Sequence, residues 1–379
     1  MEKRSWGTAP FIELGMAKSR NKTLSILIAT VLLLSVHISQ VFGQGTPVEK
    51  REKLKVIGEH QGPVIGHMHS DVIASKNQSG FETGQLVKHK GVYHMFVNEM
   101  FGRPHLDLRC AHWTSTDAVN WERQSTVVER IPERSHTNLR SEVWLTGVEY
   151  NQEEEAWNIF YVAYRSGDPD KGEIPGSDYK GRIFRARSVV GGPDGIGGPY
   201  LDVDIIMQPD ENTQAWEGDQ GVDSFNPYKV GNKWYGFYGG HYHIPRGPWP
   251  VGLAHADRLS GPWLRMPEST NPVPIVEEFT ENPVVSKLDD GRYLAIFDSY
   301  GDQEIAYSIS EDGVSWVPET RLKAQSGSNT WAEDGDHYTR TPLCAIQEDD
   351  GTFTVIYTAM MLVDGERFYA VGKCTLGWE

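Results

Sequence analysis

The sequence predicts an all-β protein folded as a five-bladed β-propeller, and three observations support this prediction. The chain has 379 residues with 39 Gly and 21 Pro, which favour turns. It also has 12 Trp, 16 Tyr and 13 Phe, enough aromatic side chains for strands and a large core. Short β-rich runs recur at intervals of roughly 60 residues, with no long segment of helical period between them. Repeats of about this length, each holding about four strands, are typical of propeller blades.

Composition and charge narrow the classes of function. The chain carries 36 basic and 52 acidic side chains, a formal net charge of -16. We expect no nucleic-acid partner, because that class of protein presents a basic face to the phosphates. The hydrophobic content of 39% is too high for a disordered chain. Three cysteines cannot form a disulfide framework; we expect buried free thiols, with a Cys344–Cys374 pair as the alternative.

The first segment of the chain has the pattern of a secretion signal. Three basic residues precede the apolar run Leu24–Val36, which is shorter than the roughly 20 residues of a membrane span. Small residues before Gln44 suit cleavage by signal peptidase. We therefore predict that residues 1–43 are a signal peptide and that residues 44–379 form one domain. The mature protein would be periplasmic or extracellular, with no membrane attachment; an uncleaved anchor is the alternative.

One strand template recurs five times along the mature chain. A polar or acidic residue leads an apolar strand, a turn follows, and an aromatic strand comes next. The leading residues are 60, 81, 58 and 59 positions apart. The hairpins of a double β-sandwich give the same local signals, so that fold is the alternative. The strand predicted within Lys53–Ile65 completes the last blade, and the leading residues are Glu82, Glu142, Asp223, Glu281 and Arg340.

The leading residues carry the chemistry that the sequence predicts. The first strand of each propeller blade lines the central axis, so these five side chains are expected to converge at one mouth. Four of the five are acids. Hydrolysis of a glycosidic bond needs a carboxylic acid for the leaving oxygen and a carboxylate across the sugar. A third carboxylate can raise the pKa of the acid by repulsion, and the arginine would neutralise part of the charge.

On these residues the chain resembles the five-bladed β-propeller glycoside hydrolases of families 43, 117 and 32, over roughly residues 53–379. The resemblance implies a base on the first blade, a pKa-tuning Asp on a middle blade and a Glu acid on the next. Glu82, Asp223 and Glu281 match by position, but the family has Asp where this chain has Glu82, so Asp71 stays a competing base. The resemblance also implies an inverting mechanism without a required cofactor, with a structural Ca²⁺ or other ion at the axis as an option.

Other polar and aromatic residues are predicted to bind the substrate. Trp and Tyr rings stack on sugar faces, while Arg and His suit sulfate or carboxylate groups. The expected substrate is therefore a plant or algal oligosaccharide or polysaccharide, with an anionic or sulfated one as an option. The His-x-His pairs raise the alternative of zinc, but no spacing demands a third ligand. The predicted substrate-binding residues are Glu142, His241, His243, Trp249, His337 and Arg340.

Two other functions fit the same fold. A glycoside phosphorylase would replace the base by a bound phosphate held by Arg and His residues. A non-catalytic propeller would bind carbohydrate and hydrolyse nothing. The leading hypothesis from the sequence is an exported glycosidase, in which Glu281 protonates the glycosidic oxygen and Glu82 or Asp71 activates water.

Overall fold

Twenty β-strands, one short α-helix and three 3₁₀ helices make up the described part of this computed structural model. The described residues are 53–102, 107–131, 134–243, 247, 249–275, 280–298, 304–324, 331–332 and 339–379. The predicted signal peptide, residues 1–43, and the predicted site residue His337 lie outside them. The all-β prediction is confirmed.

The strands follow one another in short antiparallel meanders, and the helix α1 spans Ser70–Ser75. The 3₁₀ helices span Pro169–Lys171, Pro193–Gly197 and Ala215–Glu217. The strands are β1 (Leu54–Glu59), β2 (Gly80–His89), β3 (Val92–Phe101), β4 (Asp107–Ser115), β5 (Glu122–Glu129), β6 (Glu142–Asn151), β7 (Ala156–Ser166), β8 (Asp178–Ser188), β9 (Tyr200–Met207), β10 (Asp223–Val230), β11 (Lys233–Gly239), β12 (Val251–Ala256), β13 (Leu264–Arg265), β14 (Val284–Lys287), β15 (Tyr293–Asp298), β16 (Glu304–Ser310), β17 (Thr320–Lys323), β18 (Thr339–Gln347), β19 (Phe353–Val363) and β20 (Glu366–Trp378).

Hydrogen bonding sorts the strands into five groups of four. The first four groups are β2–β5, β6–β9, β10–β13 and β14–β17, each paired in chain order. The fifth group is β18–β20 completed by β1, which pairs antiparallel with β20 from Leu54 opposite Trp378 to Glu59 opposite Cys374. The strand predicted within Lys53–Ile65 therefore does complete the last group, as the sequence indicated.

The fifth and first groups are joined into one eight-stranded sheet by a single parallel bridge. Gly80 of β2 pairs with Tyr369 of β20. Gly80 has a φ of 92°, and a Cβ at this position would lie 2.1 Å from the Tyr369 carbonyl oxygen. Glycine is required here because both the backbone conformation and the close approach exclude a side chain.

The first strands of the groups contact one another in the order β2, β6, β10, β14, β18 and back to β2. Buried side-chain amides connect neighbouring groups. Asn226 donates to the Thr146 carbonyl oxygen at 3.2 Å and accepts from the Val285 N–H at 3.1 Å. These hydrogen bonds satisfy backbone groups that strand pairing leaves over. They also fix the positions of β6, β10 and β14 relative to one another.

Apolar side chains pack between neighbouring groups, and the second strands supply many of the largest buried rings, among them Phe96, Phe160 and Phe237. Many aromatics that could have stacked on sugars therefore belong to the core. Cys110, Cys344 and Cys374 are free and buried, which confirms the prediction of free thiols. Within the described residues, no helix has the length and apolar character needed to cross a membrane.

Candidate active site

The acids of the candidate site stand at irregular entries to their strands. A non-glycine residue with positive φ is uncommon, and such strain often marks functional positions. The pairing register also shifts just after two of these acids, as in a β-bulge, which re-aims a side chain. The acids and the residues that follow them are Glu82 with Thr83 (φ 53°), Asp223 with Ser224 (φ 49°) and Glu281 with Asn282 (φ 54°).

Arg340 is the centre of the cluster, because it contacts three carboxylates, one from the first group of strands and two from the fourth. Its Nη2 atom lies 2.6 Å from Glu82 Oε1 and 3.1 Å from Glu281 Oε2. Its Nη1 atom lies 2.6 Å from Asp298 Oδ2. The sequence predicted that Glu82, Glu281 and Arg340 converge, and the structure brings them into direct contact. The guanidinium fills the space between the two glutamates.

Asp298 is a member of the cluster that sequence reasoning missed. It ends β15, a second strand, and is only 1% exposed. Asn282 Nδ2 donates to its Oδ2 atom at 3.1 Å, and Thr341 Oγ1 lies 3.4 Å from the same oxygen. Burial raises the pKa of Asp298 well above its usual value, while Arg340 opposes that shift. The sequence did contain a signal for Asp298: it is a carboxylate at the end of an otherwise apolar strand.

Glu281 has the electrostatic setting of a general acid. Burial raises its pKa to about 7, and the charges of Asp223 and Glu82 act in the same direction. The ion pair with Arg340 lowers the pKa of Glu281, but desolvation and the repulsion by Asp223 and Glu82 together outweigh it. A carboxyl group with this pKa is protonated in a large fraction of molecules near neutral pH, as proton donation to a leaving oxygen requires.

Asp223 begins β10 in the third group, adjacent to the fourth group that contains Glu281, and it is linked to Glu281 through neighbouring residues. Its Oδ2 accepts from Gln220 Nε2 at 3.0 Å, and its Oδ1 from the Ser224 N–H at 2.6 Å. Burial raises the pKa of Asp223, and hydrogen bonding by Tyr164 is the largest effect against that shift. Ser224 Oγ donates in turn to Asn282 Oδ1 at 3.1 Å, beside Glu281. The predicted pair Asp223 and Glu281 therefore shares one polar network.

Glu142 belongs to a second acidic site, between the second and third groups. Arg134 Nη2 lies 2.7 Å from its Oε1. Burial raises the pKa of Glu142 to about 7, while Arg134 opposes that shift. Asp178, which the sequence did not single out, lies near it, and burial together with the charge of Glu142 raises the pKa of Asp178 well above its usual value. Both line a cavity of about 210 Å³ that Gln220 also lines.

The predicted residues of the third group also reach this cavity or its edge. His243 and Trp249 line it. The rings of His241 and Trp249 are stacked with their centroids 3.5 Å apart, and His241 is only 2% exposed. His243 Nδ1 lies 3.1 Å from Asp219 Oδ1, and its ring stacks on Tyr179. Packing therefore holds these rings in fixed orientations.

Asp71, the competing base, lies elsewhere, which corrects that alternative. It is in the first turn of α1, and its Oδ2 accepts from the Arg123 N–H of β5 at 3.0 Å. β5 is the outermost strand of the first group, three strands from β2. With about 4.8 Å between strands, this contact is roughly 14 Å from the strand that carries Glu82. Asp71 and Glu82 are close in sequence but not in space, because α1 packs against β5 at the outer edge of the first group.

Within the described residues, no group of three or more His, Cys, Asp or Glu side chains has the geometry of a metal site. The zinc alternative therefore gains no support from the described His-x-His pairs. The axial Ca²⁺ or other ion stays a prediction from the family resemblance.

Three solved structures place this geometry in a known fold. A structure described as a glycoside hydrolase aligns with a TM-score of 0.61, 13% identity, and 90% of this chain on 94% of that one. A complex of BT0996 with RGII gives a TM-score of 0.59 with the same identity and coverage. The family 117 glycoside hydrolase Zg3597 of the marine bacterium Zobellia galactanivorans gives 0.57, 12% identity, and 86% of this chain on 90% of that one.

Comparison by sequence finds no relative of this chain. No protein-family model matches it, and no curated protein matches it. The likeness is therefore one of three-dimensional structure at 12–13% identity. The resemblance predicted from the strand-leading residues is confirmed at that level: the chain has the fold of glycoside hydrolases such as the family 117 enzyme.

Proposed function

We propose that this protein is a glycoside hydrolase built as a five-bladed β-propeller, with its catalytic carboxyl groups at the mouth of the ring. The five antiparallel groups and the cyclic order of contacts between their first strands support five blades. The fold shared with glycoside hydrolases supports the reaction class. One compared structure is a complex with RGII, which supports an oligosaccharide as the substrate class.

The observation that carries the proposal is the pair Glu281 and Glu82 at one guanidinium. Glu281, with its pKa near 7, would donate a proton to the glycosidic oxygen. Glu82 would accept a proton from the attacking water. Asp223 would help to keep Glu281 protonated through its negative charge. This chemistry uses carboxyl groups alone, so we propose that no cofactor is required.

The stereochemical course depends on Arg340. An inverting glycosidase holds its carboxyl groups about 6.5–9.5 Å apart, which leaves room for water. Glu82 Oε1 and Glu281 Oε2 both contact Arg340 Nη2, so these two oxygens lie less than about 6 Å apart. The proposed inverting course places water between the two carboxyl groups, where Arg340 Nη2 lies in this structure, so we propose that the guanidinium moves when sugar binds. Proton NMR of the first product formed would reveal an inverted anomer; a retained anomer would contradict the inverting course.

The reaction class is tested by a screen of plant and algal oligosaccharides, read by product chromatography. On any substrate that is cleaved, Glu281→Gln should lower kcat about 10²- to 10⁴-fold, because the amide cannot donate the proton. Glu122→Gln, on the exposed start of β5, is the matched control and should leave kcat unchanged. Unchanged turnover in Glu281→Gln would contradict the assignment of the acid.

The phosphorylase alternative can be separated in the same assay. The two guanidinium groups described at the site, Arg134 and Arg340, are already paired with carboxylates, so neither is set aside for phosphate. We therefore expect product to form equally in phosphate-free buffer and in added phosphate. Product that appears only with phosphate would favour the phosphorylase.

Export to the periplasm or the medium is part of the proposal and rests on residues 1–43 alone. The anionic or sulfated substrate also remains a prediction from the sequence.

A further inference from the structure

We propose that Tyr164 is a positioning residue, which directs the proton shared by Asp223 and Glu281 to Glu281. This inference rests on the proposed function and names the side chain that keeps its acid ready to donate. Tyr164 lies in β7 of the second group and is only 1% exposed, while Asp223 begins β10 of the third group. The hydroxyl of a buried tyrosine normally has a hydrogen-bond partner, and Asp223 is the partner here.

The two acids compete for one proton. Burial raises the pKa of Asp223 and of Glu281, and the charge of Asp223 raises that of Glu281 further. Two carboxyl groups that repel each other in this way hold a single proton between them over a range of pH. General acid catalysis needs that proton on Glu281. The same proton on Asp223 leaves Glu281 ionised and unable to donate.

The hydroxyl of Tyr164 favours the ionised form of Asp223. Gln220 Nε2 donates to the Tyr164 hydroxyl oxygen at 3.3 Å and to Asp223 Oδ2 at 3.0 Å. An amide nitrogen donates and does not accept, so the hydroxyl proton of Tyr164 points away from Gln220 and is left for the carboxylate. A hydrogen bond to the ionised form of a carboxyl group lowers its pKa. Tyr164 therefore opposes the effect of burial on Asp223.

The backbone beside Tyr164 fixes the position of its ring. The Gly181 N–H of β8 donates to the Gln220 carbonyl oxygen at 2.6 Å, and Gly181 forms a parallel bridge with Gly221. A Cβ at Gly181 would lie 2.6 Å from Tyr164 Cε1, so only glycine lets the ring lie this close to the chain. The second group thus holds a hydroxyl at the acid that begins the third.

The ionisable groups around Asp223 do not stabilise its charge. Asp178 at the start of β8 and Glu142 at the start of β6 lie on the side of the second group, and Glu281 lies on the side of the fourth. After β11 comes His241, whose carbonyl oxygen accepts from the N–H of residue 220 at 3.1 Å. No described lysine or arginine forms an ion pair with Asp223. Its charge therefore depends on neutral hydrogen-bond donors.

Carboxyl NMR tests the inference without any substrate. Tyr164→Phe removes one oxygen and keeps the ring. In protein labelled with ¹³C at the Asp and Glu carboxyl carbons, the signals are identified by their loss in Asp223→Asn and Glu281→Gln. We expect the apparent pKa of Asp223 to rise by about one to two in Tyr164→Phe, because a hydrogen bond to a charged group is lost. The protonated fraction of Glu281 near pH 7 should fall at the same time.

Turnover gives a second readout, on any substrate that is cleaved. Tyr164→Phe should lower kcat about three- to thirtyfold with KM unchanged, because fewer molecules hold the proton on Glu281. Tyr228→Phe is the matched control. Tyr228 lies on β10 as well, is 4% exposed, and donates its hydroxyl proton to the Gly313 carbonyl oxygen at 2.8 Å. This control should leave kcat and the signal of Asp223 unchanged.

A second variant acts on the same hydrogen bonds from the other side. Gln220→Leu removes the donor to Asp223 and the contact that orients the Tyr164 hydroxyl. It should raise the pKa of Asp223 in the same direction as Tyr164→Phe. Thermal unfolding of each variant confirms that it is folded.

Two results would overturn the inference: Asp223 titrates alike in the parent and in Tyr164→Phe, or kcat falls no more in Tyr164→Phe than in Tyr228→Phe. Failure of the proposed function looks different. If the carboxyl signals change as expected while the wild-type protein cleaves no oligosaccharide, the hydrolase assignment fails and the role of Tyr164 in placing the proton stands. If oligosaccharides are cleaved while Asp223 titrates unchanged in Tyr164→Phe, the reverse holds.

Discussion

Arg340 is predicted to be the residue on which the stability of the candidate site most depends, and the dependence should change with pH. Its guanidinium contacts Glu82, Glu281 and Asp298 at 2.6–3.1 Å. Arg340→Gln keeps a polar side chain but removes the only cation that these three carboxylates are seen to share among the described residues. Three carboxyl groups, none more than 14% exposed, would then repel one another without compensation.

The expected magnitude follows from the burial of this ion pair. Removing one partner of a buried salt bridge costs about 3–5 kcal/mol, because it leaves an uncompensated charge. The direction in which the loss of stability changes with pH follows from the pKa values of the acids. The pKa of Glu281 is already raised to about 7 and that of Asp298 lies well above its usual value, and Arg340 lowers both. Without Arg340 both pKa values rise further in the folded protein.

The folded variant therefore holds protons that the unfolded chain has lost, in the pH range between the unfolded pKa near 4.3 and the raised folded pKa. Its stability falls as pH rises through this window, by about 1.4 kcal/mol for each unit of pKa shift. Below the window the carboxyl groups are neutral and need no cation. The deficit of Arg340→Gln should thus be about 3–5 kcal/mol at pH 8 and clearly smaller at pH 5.

Urea unfolding of the wild-type protein and Arg340→Gln at pH 8 and pH 5 measures this difference. Arg321→Gln is the control, because Arg321 pairs with Glu319 on the surface and its side chain is 41% exposed. That change should cost less than about 1 kcal/mol at either pH. An equal deficit for Arg340→Gln at both pH values, or a deficit no larger than that of the control, would refute the reasoning.

Three further predictions follow from the same structure. The alkaline limb of the kcat/KM profile should fall near pH 7, since Glu281 must be protonated to act as the acid; constant activity up to pH 9 would exclude that role. Asp223→Asn removes a charge that raises the pKa of Glu281, so the same limb should move to lower pH by about one unit, and an unmoved limb would contradict the coupling. Gly80→Ala places a Cβ against the Tyr369 carbonyl oxygen at a φ of 92°, so the free energy of unfolding should drop by more than about 1 kcal/mol. Gly91→Ala is the control, because Gly91 has a similar φ of 78° but no atom within 4 Å of the added Cβ. The difference between the two variants isolates the effect of the close approach.

Local patterns in the sequence determined the strands and most of the acids. Alternating apolar residues, turn residues and aromatic second strands are short-range features, so the five groups and the completing strand β1 could be predicted without coordinates. The position of an acid at the start of a first strand is also local. Glu82, Asp223, Glu281 and Arg340 were recognised for that reason.

Only the tertiary structure decided which charges meet. Asp298 joins Arg340 from 42 residues away, and Glu281 meets it from 59 residues away. Asp71 is close to Glu82 in sequence, yet α1 carries it to the outer strand β5. The pKa of a buried acid depends on desolvation and on distances of a few ångströms to other charges. Those distances arise from packing between groups of strands, which the spacing of residues along the chain does not contain.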